Sequence, residues 1–240
     1  MINRYGCQSM VNPIRKVLIK HTKEGFKSQS ELNQSASKLN YSETPNFSKS
    51  ISDYDQFVKL LKSFDIEIHY LPYDNNTTPD SIYTHDPCIV SNKGVILCSM
   101  GKNDRCSEVP AIESYFESLD IPILGKIKKP GNLEGGDVVW INERSVAIGE
   151  GYRSNSEGIK QLKGILSDLV DNVISVPLPH WTGPFNCLHL MSLLSPIDKD
   201  LFLVYSRLLS VPFLRYLSQS GIKLIHVPDN EYDSMGCNVL

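Results

Sequence analysis

No Cys-x-x-Cys pair occurs among the six cysteines of this 240-residue sequence. That absence excludes a zinc ribbon and the dense disulfide framework of a small secreted domain. The cysteines are therefore read as small core residues. Long apolar runs are missing too. The opening Met1-Ile2-Asn3-Arg4-Tyr5-Gly6-Cys7-Gln8 lacks the apolar core of a signal peptide, and no later run approaches the length of a membrane span. A soluble, cytoplasmic chain is the expectation, so sequons such as Asn46-Phe47-Ser48 and Asn75-Asn76-Thr77 carry no weight. Basic stretches are absent as well. With a formal charge of only -3, nucleic acid is a poor guess for the main ligand.

What is present is length enough for a sizeable core and a recurring pattern. Lys16 to Lys20 reads as a first strand, followed by a polar stretch from Thr22 to Ser52 that reads as an insert or a lid over a site. Helical spacing returns from Tyr54 to Phe64, with Glu67 to Leu71 as a strand. Strands at Cys88–Ser91 and Val95–Ser99, a helix at Glu108–Ser118 and a strand at Ile121–Leu124 form one unit. The order recurs with strands at Val138–Ile141 and Ser145–Ile148, a helix from Ser156 to Leu169 and a strand at Asn172–Val176. Ser154-Asn155-Ser156-Glu157 offers that helix a capping box. A third pass places strands at Leu188–Leu194 and Leu201–Tyr205, a helix at Val211–Gln219 and a strand at Lys223–Val227. An internal strand-strand-helix-strand repeat with a period near fifty residues follows. Cys237-Asn238-Val239-Leu240 reads as the first strand of a further unit, so the expected single domain over residues 1–240 has a truncated last module.

The most informative stretch is Asn132-Leu133-Glu134-Gly135-Gly136-Asp137-Val138-Val139-Trp140, where two acids flank a glycine pair before a strand. Two readings stay open: a tight turn with both acids solvated, or a clamp for a planar guanidinium, whose forked N–H donors match carboxylates. A shift of forty-eight residues superposes Asp86 on Glu134 and Arg105 on Arg153. If the units share an axis, their loops converge into a centre with acids on one side and guanidiniums on another, suited to a zwitterionic guanidino acid. Asp80 and His85 lie in the same loop as Asp86, where a turn starter, a surface acid and a surface histidine are the plainer readings. His189 sits at the entry to a first strand, where Glu134 stands one unit earlier. It is either a hydrogen-bonded core residue or an imidazole able to move protons near neutral pH. A metal site of Cys187, His180 and His226 is the third option, although the spacing matches no familiar ligand pattern.

Together, Tyr5-Gly6-Cys7-Gln8-Ser9, His85-Asp86-Pro87, Glu134-Gly135-Gly136-Asp137, Gly151-Tyr152-Arg153-Ser154-Asn155, Cys187-Leu188-His189-Leu190 and Met235-Gly236-Cys237-Asn238-Val239-Leu240 resemble the guanidino-group-modifying enzyme superfamily. Its members include dimethylarginine dimethylaminohydrolases, arginine deiminases and amidinotransferases. The resemblance implies a pentein-type α/β propeller of such modules around a pseudo-fivefold axis. It implies Glu134 and His189 as catalytic residues, Asp80, Asp86 and Asp137 as carboxylates around the guanidinium, and Arg105 and Arg153 as holders of a substrate carboxylate. His85 and Ser154 depart from the family's usual arginine and threonine. The implied activity is hydrolysis of the guanidino C–N bond of arginine or a methylated arginine through a Cys-thiouronium intermediate. Amidinotransfer, or a short form that only binds guanidino compounds, are the alternatives. The family's nucleophile lies in a Gly-rich segment beyond the Gly-Cys-Asn-Val-Leu motif, which this sequence does not contain, and Cys237 matches another position. The implied partner is a small guanidino substrate, with no cofactor, metal, nucleic acid or membrane. A homodimer stays open as the oligomeric form.

Overall fold

The computed structural model describes residues 5–239. Met1 to Arg4 of the opening segment and Leu240 of the last motif lie outside the described residues. Strand β1 (Lys16–Ile19) pairs in parallel with β2 (Glu67–Tyr70). Helices α1 (Thr22–Phe26), α2 (Gln29–Ser35) and α3 (Phe47–Ser63) lie between them in sequence. The repeat then appears three times. Its first copy is β3 (Cys88–Ser91), β4 (Gly94–Leu97), α4 (Glu108–Ser118) and β5 (Ile123–Lys126). The second is β6 (Val138–Asn142), β7 (Ser145–Glu150), α5 (Ser156–Ile165) and β8 (Asn172–Pro177). The third is β9 (Leu194–Asp198), β10 (Leu201–Val204), α6 (Val211–Gln219) and β11 (Lys223–His226). In each copy the first two strands make an antiparallel hairpin, and the helix returns the third strand parallel to the second. The fold is therefore α/β, built from small sheets that repeat one connection.

Side-chain alternation along the central hairpin explains how the sheets pack. Val138, Trp140, Val146 and Ile148 face one core, with Ile96, Leu133 and Leu162. Val139, Ile141 and Ala147 point to the opposite face, into a second core with Leu194, Phe202 and Phe213. A strand buried on both faces reads as a continuous apolar run, which is why Val138 to Ile141 carries no polar residue. At the hairpin turns, Gln8 bridges neighbouring units, donating from Nε2 to the Glu143 carbonyl at 2.8 Å and accepting the Asn92 N–H at 3.0 Å.

Four local expectations are corrected. The Thr22–Ser52 stretch is not a structureless insert: it forms α1 and α2, begins α3, and buries Phe26, Leu32, Ala36 and Leu39. Asn46 caps α3 by accepting the Lys49 N–H, so that helix starts well before Tyr54. Leu188 to Leu194 is not a strand; a tight turn at Leu190–Ser192 precedes β9. Cys237 to Val239 form no strand, and Cys237 packs in the interior. Among the described residues, no helix is long and apolar enough to cross a membrane.

Candidate functional site

The repeat decides where the polar residues meet. Asp86 lies just before β3, Glu134 and Asp137 just before β6, and His189 before β9, while Arg105 and Arg153 follow the second strands β4 and β7. Neighbouring loops are stitched together, for the Gly135 N–H donates to the Asp86 carbonyl at 2.8 Å and the Leu133 N–H to Ser99 at 2.8 Å. The approach is close enough to require the glycine pair. A Cβ on Gly135 would stand 2.1 Å from the His85 carbonyl oxygen, and one on Gly136 would stand 2.3 Å from His189 Nδ1.

Glu134 is completely buried and surrounded by donors. Its Oε1 accepts the backbone N–H groups of Gly101 and Lys102 at 2.9 and 3.0 Å. Its Oε2 lies 3.1 Å from Arg153 Nη1 and 2.8 Å from His189 Nε2. Burial pushes its pKa up, but the His189 hydrogen bond and charge, with Arg153, outweigh burial and hold it below the ordinary value. Asp86 behaves alike: burial opposes its charge, but His189 and Arg105 prevail, the latter donating from Nη1 to Oδ2 at 2.5 Å. Asp137 takes the opposite direction. Burial lifts it to about 6 despite His189, a 2.6 Å bond from Ser154 Oγ and a 3.0 Å bond from the Leu190 N–H. Ser154 Oγ also accepts the Glu134 N–H at 3.1 Å, which leaves Asn155 to cap α5 instead of the expected Ser154.

His189 faces this cage from the next unit. Burial disfavours its charge, but hydrogen bonds to Cys187 and Glu134, with the charges of Asp137 and Asp86, hold its pKa well above the ordinary 6.5. These neighbours favour its protonated form. Its Nδ1 lies 3.4 Å from Cys187 Sγ and 3.9 Å from Asp86 Oδ1. His180 and His226 lie elsewhere, bonded to Tyr152 Oη and Ser206 Oγ, so they do not join Cys187. Cys237 has other partners: its carbonyl accepts from Ser195 Oγ, its thiol donates to the Leu203 carbonyl at 3.8 Å, and burial pushes that thiol up to about 11.

The two arginines are engaged differently. Arg105 is buried and spends its donors inside the protein: Nε and Nη2 grip Glu108 at 2.8 Å each, Nη1 holds Asp86, and Nη2 also meets the Tyr83 carbonyl at 3.1 Å. Arg153 has Nη1 on Glu134 as its one described side-chain bond. Asp80 forms an ion pair with Lys102 at 2.7 Å. His85 bonds the Gly135 carbonyl through Nε2 at 3.1 Å and is exposed beside the cage. Sequence reasoning missed Lys102 and Glu108. Glu108 carried a signal, since it stands three residues after Arg105 at the start of a helix; Lys102 carried none.

Asp86, Glu134 and His189 bring ligand-type atoms within 4.8 Å of one another. The carboxylates already accept N–H donors from arginine, histidine and backbone, a donor set that fits a flat organic cation better than a metal. Asp80, Asp86, Glu134 and Asp137 stand against Lys102, Arg105, Arg153 and His189, while burial lifts the Glu108 carboxyl to about 7.

A family profile described as arginine deiminase matches residues 72–221, more than half of the chain. The chain belongs to the arginine deiminase family. This agrees with the superfamily read from the motifs. Among curated relatives, N(G),N(G)-dimethylarginine dimethylaminohydrolase of Pseudomonas aeruginosa is 25% identical over 195 residues, covering 80% of this chain and 71% of the relative. The enzyme of the same name from Streptomyces coelicolor is 26% identical over 181 residues, covering 73% of this chain and 66% of the relative. The chain thus spans about two thirds of their length. Among solved structures, the N-terminal domain of ArgZ, an arginine dihydrolase from Cyanobacteria bound to its substrate, has a TM-score of 0.76 at 16% identity. It covers 94% of this chain and 80% of that one, and shows the shared fold.

Proposed function

We propose that this protein belongs to an amidinohydrolase that cleaves the guanidino C–N bond of arginine or a methylated arginine. The observation that carries the reading is one cluster: three carboxylates from two repeats, with an imidazolium from a third bonded to Glu134 at 2.8 Å. Its support is geometric, joined by family membership and by relatives that bear hydrolase names. The architecture proposed with it is one α/β propeller domain over residues 1–240, whose sheets stand around a pseudo-fivefold axis.

In the proposed reaction Asp86 and Asp137 hold the guanidinium, Glu134 fixes His189 through their 2.8 Å bond, and Arg153 takes the substrate carboxylate. Arg105 supports the guanidinium end by fixing Asp86, since its own donors are occupied. A thiolate attacks the guanidinium carbon, and the tetrahedral adduct expels an amine that receives its proton from His189. The same imidazole then removes a proton from the water that releases the ureido product and regenerates the thiol. The raised pKa of His189 suits the first half, because its neighbours favour the acid form. A carboxylate cage raises a nearby thiol's pKa, so thiolate formation is coupled to arrival of the substrate cation. Among the described residues, Cys187 is the thiol in contact with His189.

The test is release of citrulline from L-arginine or N(G),N(G)-dimethylarginine, alongside calorimetric binding. Turnover abolished by His189→Gln supports the hydrolase. Binding without turnover in the intact natural protein supports the ligand-binding alternative, and no binding of any guanidino compound defeats both.

A further inference from the structure

The repeat provides an internal comparison of its two arginines. Arg105 and Arg153 hold equivalent places, and the same shift of forty-eight residues sets Glu108, the first residue of α4, on Ser156, the first residue of α5. Three residues after Arg105 stands an acid; three residues after Arg153 stands a serine. Arg105 gives that acid two donors, since Nε reaches Glu108 Oε1 and Nη2 reaches Oε2, each at 2.8 Å. Its Nη1 goes to Asp86 Oδ2 at 2.5 Å, so one cation serves two carboxylates. All three side chains are withdrawn from water, at 4% exposed for Arg105, 2% for Glu108 and 11% for Asp86. The other oxygen of Asp86 accepts the Gly136 N–H at 3.0 Å.

This sharing decides how much charge Asp86 presents to the site. A guanidinium closes most favourably on a carboxylate through two parallel N–H bonds. Arg105 makes that two-bond grip on Glu108 and leaves Asp86 a single bond, so the Asp86 charge is only partly cancelled. Without the Glu108 carboxylate the fork would be free to close on Asp86 and neutralise the group that a ligand's guanidinium needs. We infer that Glu108 is a positioning residue for the guanidinium end of the site: by gripping Arg105 it keeps the Asp86 carboxylate incompletely paired and open to a cationic ligand. The inference rests on the proposed guanidino site and deepens it. Arg153, followed by Ser156 instead of an acid, keeps its remaining donors for the ligand's carboxylate.

The experiment is calorimetric titration of the full chain with L-arginine and with L-citrulline, which keeps the amino-acid end and carries a neutral ureido group in place of the guanidinium. It is run above the value of about 7 to which burial lifts the Glu108 carboxyl, where the carboxylate is present. Glu108→Gln should weaken L-arginine by about tenfold or more and L-citrulline by less than about threefold. Glu108→Asp keeps the charge on a shorter stem and guards against a folding defect; it should weaken L-arginine by only about threefold and leave L-citrulline unchanged. The double variant Arg105→Gln/Glu108→Gln removes the cation that Glu108→Gln sets loose, so it should bind L-arginine more tightly than Glu108→Gln does. Equal weakening of both ligands by either single variant, no effect of Glu108→Gln on L-arginine, or a double variant weaker than Glu108→Gln overturns the inference. Abolition of L-arginine binding by Asp86→Asn then leaves the guanidino site standing. If wild type binds neither ligand, the site reading falls and the inference falls with it.

Discussion

Glu134→Gln is the sharpest perturbation of the cage, because the amide matches the carboxylate in shape and differs in what it donates. Both oxygens of Glu134 face donors only: two backbone N–H groups on one side, Arg153 and His189 on the other. Whichever way the amide turns, its NH2 meets two of them, and two neighbouring cations lose their counter-charge. Glu134 is fully buried, with Arg153 and His189 side chains each 10% exposed, so solvent screening recovers little. Removing one partner of a buried pair costs about 3–5 kcal/mol, or a factor of roughly a hundred to several thousand in the folding equilibrium. Urea unfolding at neutral pH measures this, and NMR titration of His189 gives a second reading, since its pKa should fall when the carboxylate is neutralised. A loss under about 1 kcal/mol with the His189 pKa unmoved would refute the donor-only geometry.

Other expectations follow from the same contacts. Ser154→Ala removes the 2.6 Å bond that helps Asp137 stay ionised and leaves the Glu134 N–H without its acceptor; it should cost about 1–3 kcal/mol and raise the Asp137 pKa above about 6. Leu32→Ala, in the middle of α2, empties a completely buried site and should cost about 2–5 kcal/mol in chemical denaturation, whereas a loosely attached insert would show almost none. For pH, His189 is raised, so its contribution to stability is complete below the ordinary 6.5 and drains as pH climbs through the higher folded value. Glu134 and Asp86 are depressed, so theirs is complete above the ordinary 4.5 and 3.8 and is lost as pH falls through the lower folded values. Asp137, raised to about 6, contributes below its ordinary 3.8 and loses that contribution as pH rises through about 6. Stability should peak between these limbs, and His189→Gln should weaken the alkaline decline; an unchanged alkaline limb in that variant contradicts the assignment.

The sequence made the repeat legible because its cause is local: apolar runs, turns and helical spacing recur in order, and α4 and α6 fall on the residues that the spacing predicts. The meeting of Asp86, Glu134 and His189 followed from their matching places at strand starts. What stayed hidden was set by partners from other units. Leu188 to Leu194 looks like a strand, but the Asp137 carboxylate captures the Leu190 N–H and Ser192 Oγ captures the His189 N–H, so the backbone turns before β9. Ser154 looks like a helix cap, but its hydroxyl is taken by Asp137. In the Thr22–Ser52 stretch, Leu32, Ala36 and Leu39 do mark a buried face, and the small alanine weakened the periodic signal. The Asp80–Lys102–Leu39 junction joins three distant segments, and nothing in any one of them announces the others.

Crystals of the chain grown with L-arginine test the central claim most directly. The account predicts a guanidinium lying flat against Asp86 and Asp137, with its carbon facing His189 and the ligand's carboxylate on Arg153. A ligand seated elsewhere with this cage unoccupied, or His189 turned away from a bound guanidinium, would contradict it.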